Sequence, residues 1–247
     1  ALEAAHAHPN RLSILGKIPL DKPEAKSQVD GWLTQPGMLG FRFSFTQPHQ
    51  ATWPTDGTMD WIWPEAERLG IPVLREFFSE KFSKQLANEG KQADLIVANN
   101  VYAHVPDIND FTRGLKAVLK PGGTITLEFA HLMRLIQYTQ FDTVYHEHYS
   151  YLSLHAVKSI FEEAKLKIYD VEELTTHGGS LRVYGCHEEA GFNTAERVYE
   201  QLQKEEKAEL MELKTYMHFQ QKAEKVKDDL LAFLIEQKNH GKSVAGY

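Results

Sequence analysis

The sequence is poor in cysteine and has no run of basic residues and no long apolar segment. Cys186 is the single cysteine among 247 residues, so no disulfide can form within the chain, and a reducing, cytoplasmic location is expected. The formal net charge of −7, from 27 basic and 34 acidic residues, argues against nucleic-acid binding. No stretch of about 18 apolar residues exists, so no interaction with a membrane is expected.

Several common ligand-binding motifs are also missing. No G-x-G-x-x-G follows a predicted strand, which excludes the usual dinucleotide fingerprint. Gly241-Lys242-Ser243 resembles the end of a phosphate loop, but Glu236 occupies the position where that loop needs glycine. His6 and His8 follow a helix-forming string, and residues i and i+2 of a helix point apart, so they predict no metal site.

Apolar runs and amphipathic segments alternate along most of the chain, which indicates an α/β fold with a doubly wound, mostly parallel sheet. The last two strands are predicted to form an antiparallel edge pair. Predicted strands are Leu12–Ile18, Met38–Phe45, Ile71–Phe77, Asp94–Ala98, Thr124–Phe129, Lys167–Val171 and Leu181–Cys186. Predicted helices are Pro23–Leu33, Met59–Leu69, Glu80–Glu89, Ile108–Leu119 and Leu154–Glu163.

A different pattern begins near Ala195 and continues to Lys238. Glutamate and lysine dominate there, and apolar residues recur at helical spacing. This pattern predicts a C-terminal helical extension of two helices, or of one long broken helix. Both charge signs occur on its polar face, which disfavours a membrane-surface helix.

Tyr145-His146-Glu147-His148 is the densest cluster of titratable side chains. In an extended segment, Glu147 would face one side while His146 and His148 share the other. Three interpretations follow: a histidine acid/base site, a divalent-metal site completed by His104 or His177, or a polar loop.

Two further segments are candidates by position. Asn99 and Asn100 follow a predicted strand, where ligands of open α/β sheets bind, and His104 lies shortly beyond. His177-Gly178-Gly179 precedes another strand, and paired glycines suit either a ligand loop or a plain turn.

From about Ile71 onward, the sequence resembles the S-adenosylmethionine (SAM)-dependent sugar C-methyltransferases. That family methylates carbon 3 of nucleotide-linked 4-keto deoxysugars. The resemblance implies a class I methyltransferase-like Rossmann fold, SAM as cofactor and a nucleotide-sugar substrate. It rests on residues 93–101, 103–107, 119–123, 141–148 and 177–184.

The resemblance also implies roles for individual residues. His148 is expected to be the base that removes a proton next to the ketone, with Glu147 and Tyr145 as its partners and His104 as a further pocket residue. Asn99 and Asn100 are expected to line the cofactor cleft. The segment His177, Gly178 and Gly179 is expected to contact substrate, and no metal is needed in this step.

The sequence departs from this family near its beginning. The family's zinc-binding cysteines, its glycine-rich first loop and the acid after its second strand are not recognisable here, so an impaired cofactor site is expected. The family also continues beyond the end of this sequence, and both ends are expected to be cuts through a longer protein.

Residues 1–73 instead resemble part of the amidohydrolase superfamily, through residues 35–42, 56–58 and 66–73. We therefore expect a chimeric chain: amidohydrolase-like βα units at 1–73 that could complete the sheet, a methyltransferase-like core at 74–190, and an amphipathic helical segment at 191–247. A metal-dependent hydrolase and an inactive composite scaffold are the alternative functions. The sequence leaves the oligomeric state open.

Overall fold

The computed structural model describes residues 2–7, 14–41, 43, 52–53, 56–71 and 76–245. The chain divides into two compact units, Ala1–Glu76 and Phe77–Tyr247. Within the described residues, no helix is both long enough and apolar enough to cross a membrane.

The first unit is a small α/β assembly around a tryptophan. Trp32 is buried in its apolar core and donates an indole hydrogen bond to the carbonyl of Gly40, 3.1 Å away. A side chain at Gly16 would collide with the Trp32 ring, so glycine is needed there. Its described elements are α1 (Leu2–Ala7), β1 (Ile14–Gly16), α2 (Ala25–Val29), β2 (Met38–Phe41) and α3 (Ile62–Arg68), and β1 pairs with β2 in parallel.

The second unit contains a four-stranded mixed sheet in the order β3-β4-β6-β5. β3 and β4 are parallel, whereas β6 runs antiparallel to both β4 and β5. The elements in chain order are α4 (Glu80–Asn88), β3 (Ala93–Asn99), α5 (Ile108–Val118), β4 (Leu119–Ala130), α6 (Leu132–Tyr138), α7 (Leu154–Glu163), β5 (Leu166–Leu174), β6 (Ser180–His187), α8 (Glu196–Lys207), α9 (Leu213–Met217) and α10 (Phe219–Asn239).

The period of two along β4 explains how this sheet builds its core. Ile125, Leu127 and Phe129 are buried in one cluster with residues of α5 and α7. Burial of such side chains stabilises the fold by roughly 1.5–3 kcal/mol each. Helix α7 starts where the Ser153 hydroxyl accepts a hydrogen bond from the amide of Ala156.

The α/β fold class, the antiparallel pair β5–β6 and the C-terminal helices α8–α10 confirm the sequence predictions. The strand predicted at Ile71–Phe77 is wrong for residues 71, 76 and 77, which belong to no strand. Residues 72–75 lie outside the described residues. The sequence Pro121-Gly122-Gly123, which is typical of a turn, falls within the bounds of β4, where the register with β3 shifts.

The expected continuation of one sheet by the strands of the first unit is not seen in the described pairing. β1 and β2 pair with each other, and the four-stranded sheet uses strands of the second unit only. β3 is consequently an edge strand within the described pairing, and Leu95 and Val97 are 57% and 59% exposed. The three-part domain assignment otherwise stays a prediction.

Candidate functional site

A cavity of about 360 Å³ lies beside the carboxyl ends of β3 and β4. This is the end of a parallel strand pair at which α/β proteins bind ligands. The cavity is lined by Asn100, Ala103, His104, Phe129, Ala130, Leu132, Leu135, Asp142, Thr143, Tyr145, His148, Ser150, Tyr151 and His177.

The ring of His148 is held in this cavity by contacts on several sides. Its Nδ1 lies 2.8 Å from the backbone carbonyl oxygen of Thr143. The rings of Tyr145, His104 and Tyr151 lie 4.4, 4.7 and 6.0 Å from it, centroid to centroid. A carbonyl can only accept a hydrogen bond, so Nδ1 carries a proton, and in the neutral ring Nε2 keeps a lone pair. In this tautomer His148 can act as a base.

His104 is oriented in the same way. Its Nδ1 donates to the backbone carbonyl oxygen of Glu147 over 3.0 Å, which leaves its Nε2 unprotonated in the neutral ring. The amide of Tyr149 donates to the carbonyl of Ala103 over 2.9 Å. These two bonds tie the segment that carries His148 to the turn that carries His104, although about 40 residues separate them in the chain.

The Tyr145–His148 segment is a turn, so the alternation of side chains that an extended segment would give does not apply. The amide of His148 donates to the carbonyl of Tyr145 over 3.1 Å, as in a β-turn. His146 and Glu147 are exposed, and neither lines the cavity. No hydrogen bond joins the Glu147 carboxylate to His148 among the described residues; Glu147 acts on the site through its backbone carbonyl.

Asn100 and His177 meet at another wall of the cavity. The side-chain amide of Asn100 donates to Nε2 of His177 over 3.1 Å, so that nitrogen is the acceptor. Both residues have left-handed backbone conformations, with φ of 53° and 50°. Non-glycine residues rarely adopt this conformation, and it is found more often at functional sites. Asn99 is exposed and does not line the cavity.

Gly178 and Gly179 serve close packing in this structure. A side chain at Gly178 would collide with Gln140, and one at Gly179 would meet Arg134. The carbonyl of Gly178 also accepts a hydrogen bond from the Gln140 amide over 2.7 Å. Both glycines line a separate cavity of about 340 Å³ beside Arg134, so their substrate-binding role stays a prediction.

No local sequence pattern singles out Glu128, which contacts the residue before His177. It is 5% exposed and accepts hydrogen bonds from Thr176 at 3.0 Å and from Arg182 at 2.8 Å. The bond to Thr176 fixes the residue before His177, and the carboxylate of Glu128 raises the pKa of Arg182. The role of Glu128 depends on contacts with residues about 50 positions away in the chain, and a local sequence pattern cannot reveal such contacts.

Thr143 and Tyr151 were also missed as site residues, although both flank the histidine cluster in the sequence.

Within the described part of the chain, no three histidine, cysteine, aspartate or glutamate side chains are grouped closely enough to hold a metal ion. A larger cavity of about 750 Å³ lies along α7, α8 and residues 209–214, and no predicted site residue lines it.

Comparisons with known proteins match this chain to methyltransferase family models. Residues 41–171 match the model of a methyltransferase domain, and residues 175–247 match that of a C-methyltransferase C-terminal domain. The C-methyltransferase NovU of Streptomyces niveus is 32% identical over 182 residues, which cover 74% of this chain and 43% of that protein. The chain thus spans less than half the length of this curated relative.

Two solved structures were also matched to this chain. Magnesium protoporphyrin IX methyltransferase of Synechocystis PCC 6803, with bound SAH, is 13% identical; 75% of this chain and 80% of that one are covered, with a TM-score of 0.36. A SAM-dependent methyltransferase of Aquifex aeolicus is 12% identical; 74% of this chain and 88% of that one are covered, with a TM-score of 0.35. Because the methyltransferase-domain model matches more than half of its residues, the chain belongs to the methyltransferase-domain family.

Proposed function

We propose that this chain supplies the proton-abstraction half of a SAM-dependent C-methyltransferase that acts on a nucleotide-linked 4-keto deoxysugar. The observation that carries the proposal is His148, which lines the cavity and whose Nδ1 is bound to the Thr143 carbonyl, so that the lone pair of the neutral ring is on Nε2. A positioned base of this kind accelerates proton transfer by roughly 10²–10⁴-fold.

The neighbours of His148 support the same role. Tyr145 packs against the ring at an interplanar angle of 40° and restricts its rotation, and the ring of His104 lies 4.7 Å away, with its Nε2 unprotonated in the neutral form. Glu147 orients His104 through its backbone carbonyl. A ketone placed beside Nε2 of His148 would lose the proton of its adjacent carbon to that nitrogen, and an enolate would form.

The expectation of an impaired cofactor site has support of its own. Asn100 directly follows β3 and has a left-handed conformation beside the cavity. Within the described pairing, β3 is the edge of its sheet, and the described residues of the second unit place no further strand or glycine-rich turn beside it. These residues fit the deprotonation of a sugar, and by themselves they do not fit SAM.

Proton abstraction can be tested without the cofactor. In D₂O, the protein should exchange the proton next to the ketone of a nucleotide-linked 4-keto deoxysugar, as followed by ¹H NMR. We expect His148→Asn to reduce the exchange rate to that of buffer. The matched control is His146→Asn, which alters an exposed ring outside the cavity and should retain exchange. Equal exchange rates in His148→Asn and the unmodified protein would refute the role of His148.

Cofactor binding needs a separate measurement. Calorimetric titration with SAM should show no binding in the micromolar range if the site is impaired. Micromolar binding would contradict that part of the proposal and leave the role of His148 to be judged by the exchange experiment.

A further inference from the structure

Proton abstraction next to a ketone creates a negative charge that a catalytic site has to stabilise. When Nε2 of His148 takes the proton, the electron pair of the broken C–H bond moves onto the ketone oxygen. A hydrogen-bond donor placed against that oxygen lowers the barrier. Before the transfer, neither His148 nor His104 can donate from Nε2, since the proton of each neutral ring is on Nδ1. The donor is therefore needed on another side of the cavity.

His177 lines the same cavity and presents such a donor. Its Nε2 lies 3.1 Å from Nδ2 of Asn100. An amide nitrogen can only donate, so Nε2 of His177 accepts, and the proton of the neutral ring is on Nδ1. Among the described residues, Nδ1 of His177 has no hydrogen-bond partner. This N–H group is available to a ligand in the cavity.

Glu128 fixes the backbone on both sides of the Asn100–His177 hydrogen bond. Its backbone carbonyl accepts from the amide of Asn100 over 2.8 Å, and its carboxylate accepts from the hydroxyl of Thr176 over 3.0 Å. Asn100 and His177 both have left-handed conformations, with φ of 53° and 50°. Such conformations cost free energy and persist where the surrounding structure imposes them. The two side chains are thus held in place before a ligand binds.

We propose that His177 is a catalytic residue that donates a hydrogen bond from Nδ1 to the ketone oxygen, an inference that rests on the proton abstraction proposed above. The bond strengthens as the oxygen becomes an enolate. The proton of the broken C–H bond goes to Nε2 of His148, its electron pair ends on the oxygen, and His177 keeps its own proton. Asn100 is a positioning residue, because its donation to Nε2 keeps the proton of His177 on Nδ1.

The position of His177 suits this role better than those of the two tyrosines of the cavity. The rings of Tyr145 and Tyr151 lie beside the base itself, 4.4 and 6.0 Å from the ring of His148. No ring contact joins His177 to His148 among the described residues. The ketone oxygen and the proton that is lost belong to neighbouring carbons, so the base and the donor should approach the substrate from different sides.

Proton exchange in D₂O tests His177 with two variants of nearly equal shape. The probe is a nucleotide-linked 4-keto deoxysugar, and ¹H NMR gives kcat and KM for exchange of the proton next to the ketone. His177→Asn keeps an amide donor near the position of Nδ1, whereas the carboxylate of His177→Asp only accepts. Asparagine and aspartate both tolerate a left-handed backbone. We expect kcat to fall about 100-fold in His177→Asp and less than about tenfold in His177→Asn, with smaller changes in KM.

The pH dependence of kcat tests the positioning role of Asn100. In the unmodified protein, His177 donates from Nδ1 whether its ring is neutral or protonated, so kcat should rise as His148 loses its proton and then stay level. In Asn100→Asp, the carboxylate binds a protonated Nε2, and the neutral ring of His177 then has its lone pair on Nδ1. The kcat of this variant should therefore fall again as His177 loses its second proton.

Asn109→Asp is the matched control for the pH profile. It makes the same change at an exposed position of α5 outside the cavity and should keep the level region. The other titratable groups near His177 are common to all these proteins, so they cannot produce a difference in profile; they are His104, Asp142, Tyr145, His148 and Tyr151 in the cavity and Glu128 beneath it.

The outcomes separate this inference from the function on which it rests. If the unmodified protein shows no exchange, the proposed function fails and the inference fails with it. Exchange that requires His148 but persists in His177→Asp refutes the inference alone. Equal losses in His177→Asn and His177→Asp, or a level profile in Asn100→Asp, also refute it. A loss seen only in Tyr145→Phe or Tyr151→Phe would overturn it by identifying a tyrosine hydroxyl as the donor. Circular dichroism verifies that each variant is folded.

Discussion

The buried carboxylate of Glu205 joins helix α8 to the start of helix α7 and to His131, which follows β4. Glu205 is 2% exposed, and it accepts hydrogen bonds from the amides of Leu154 and His155 over 2.6 and 2.9 Å. These amides open helix α7, where a negative charge is favoured. Glu205 also accepts from Nε2 of His131 over 2.7 Å, and His131 directly follows the cavity-lining end of β4.

These contacts set the cost of the substitution Glu205→Ala. Hydrogen bonds to a charged group contribute about 1.5–3 kcal/mol each, so three bonds give a simple sum of roughly 5–9 kcal/mol. Water that enters the vacated space would satisfy part of the freed donors. We therefore expect a loss of about 3–5 kcal/mol, the usual range when one partner of a buried pair is removed.

Urea denaturation followed by far-UV circular dichroism measures this loss. Far-UV circular dichroism is the appropriate signal, because all four tryptophans belong to the first unit. Glu206→Ala, which changes the exposed neighbour on the same helix, is the control and should alter stability by less than about 0.5 kcal/mol. If Glu205→Ala costs less than about 1 kcal/mol, the carboxylate does not hold these elements together and the reasoning fails.

Two further predictions concern the sheet. Gly185→Ala should cost about 1–3 kcal/mol in the same assay, because its methyl group would collide with the Phe161 ring; Gly191→Ala, which meets open space, should cost far less, and equal losses would contradict this. The hydrogen bond from Arg197 lowers the pKa of Asp170. This ion pair therefore stabilises the folded state fully above the unfolded-state pKa of the carboxyl group, and the stabilisation disappears as the pH falls through the folded-state pKa. Asp170→Asn should therefore cost about 0.5–1 kcal/mol at pH 7 and almost nothing near pH 2; a loss independent of pH would count against the ion pair.

Local sequence patterns were sufficient for much of the architecture. Apolar runs predicted β4, β5 and β6, and helical spacing predicted α5 and α7 near their observed bounds. The histidine cluster could be singled out as well, since its residues are adjacent in the chain. The turn that this cluster forms could not be predicted, because its geometry depends on hydrogen bonds such as those from His104 and Tyr149 to distant carbonyl groups.

The sequence by itself determined the α/β class, the helical C-terminal extension and the presence of titratable residues suited to proton transfer. Only the tertiary structure decided which of them share a cavity. It brought Asn100 to His177 across 77 residues and buried Glu128 beneath them, while Glu147 was left exposed. Hydrophobic periodicity records which face of an element is buried, whereas the meeting of polar side chains depends on how distant elements pack, and that information is not local.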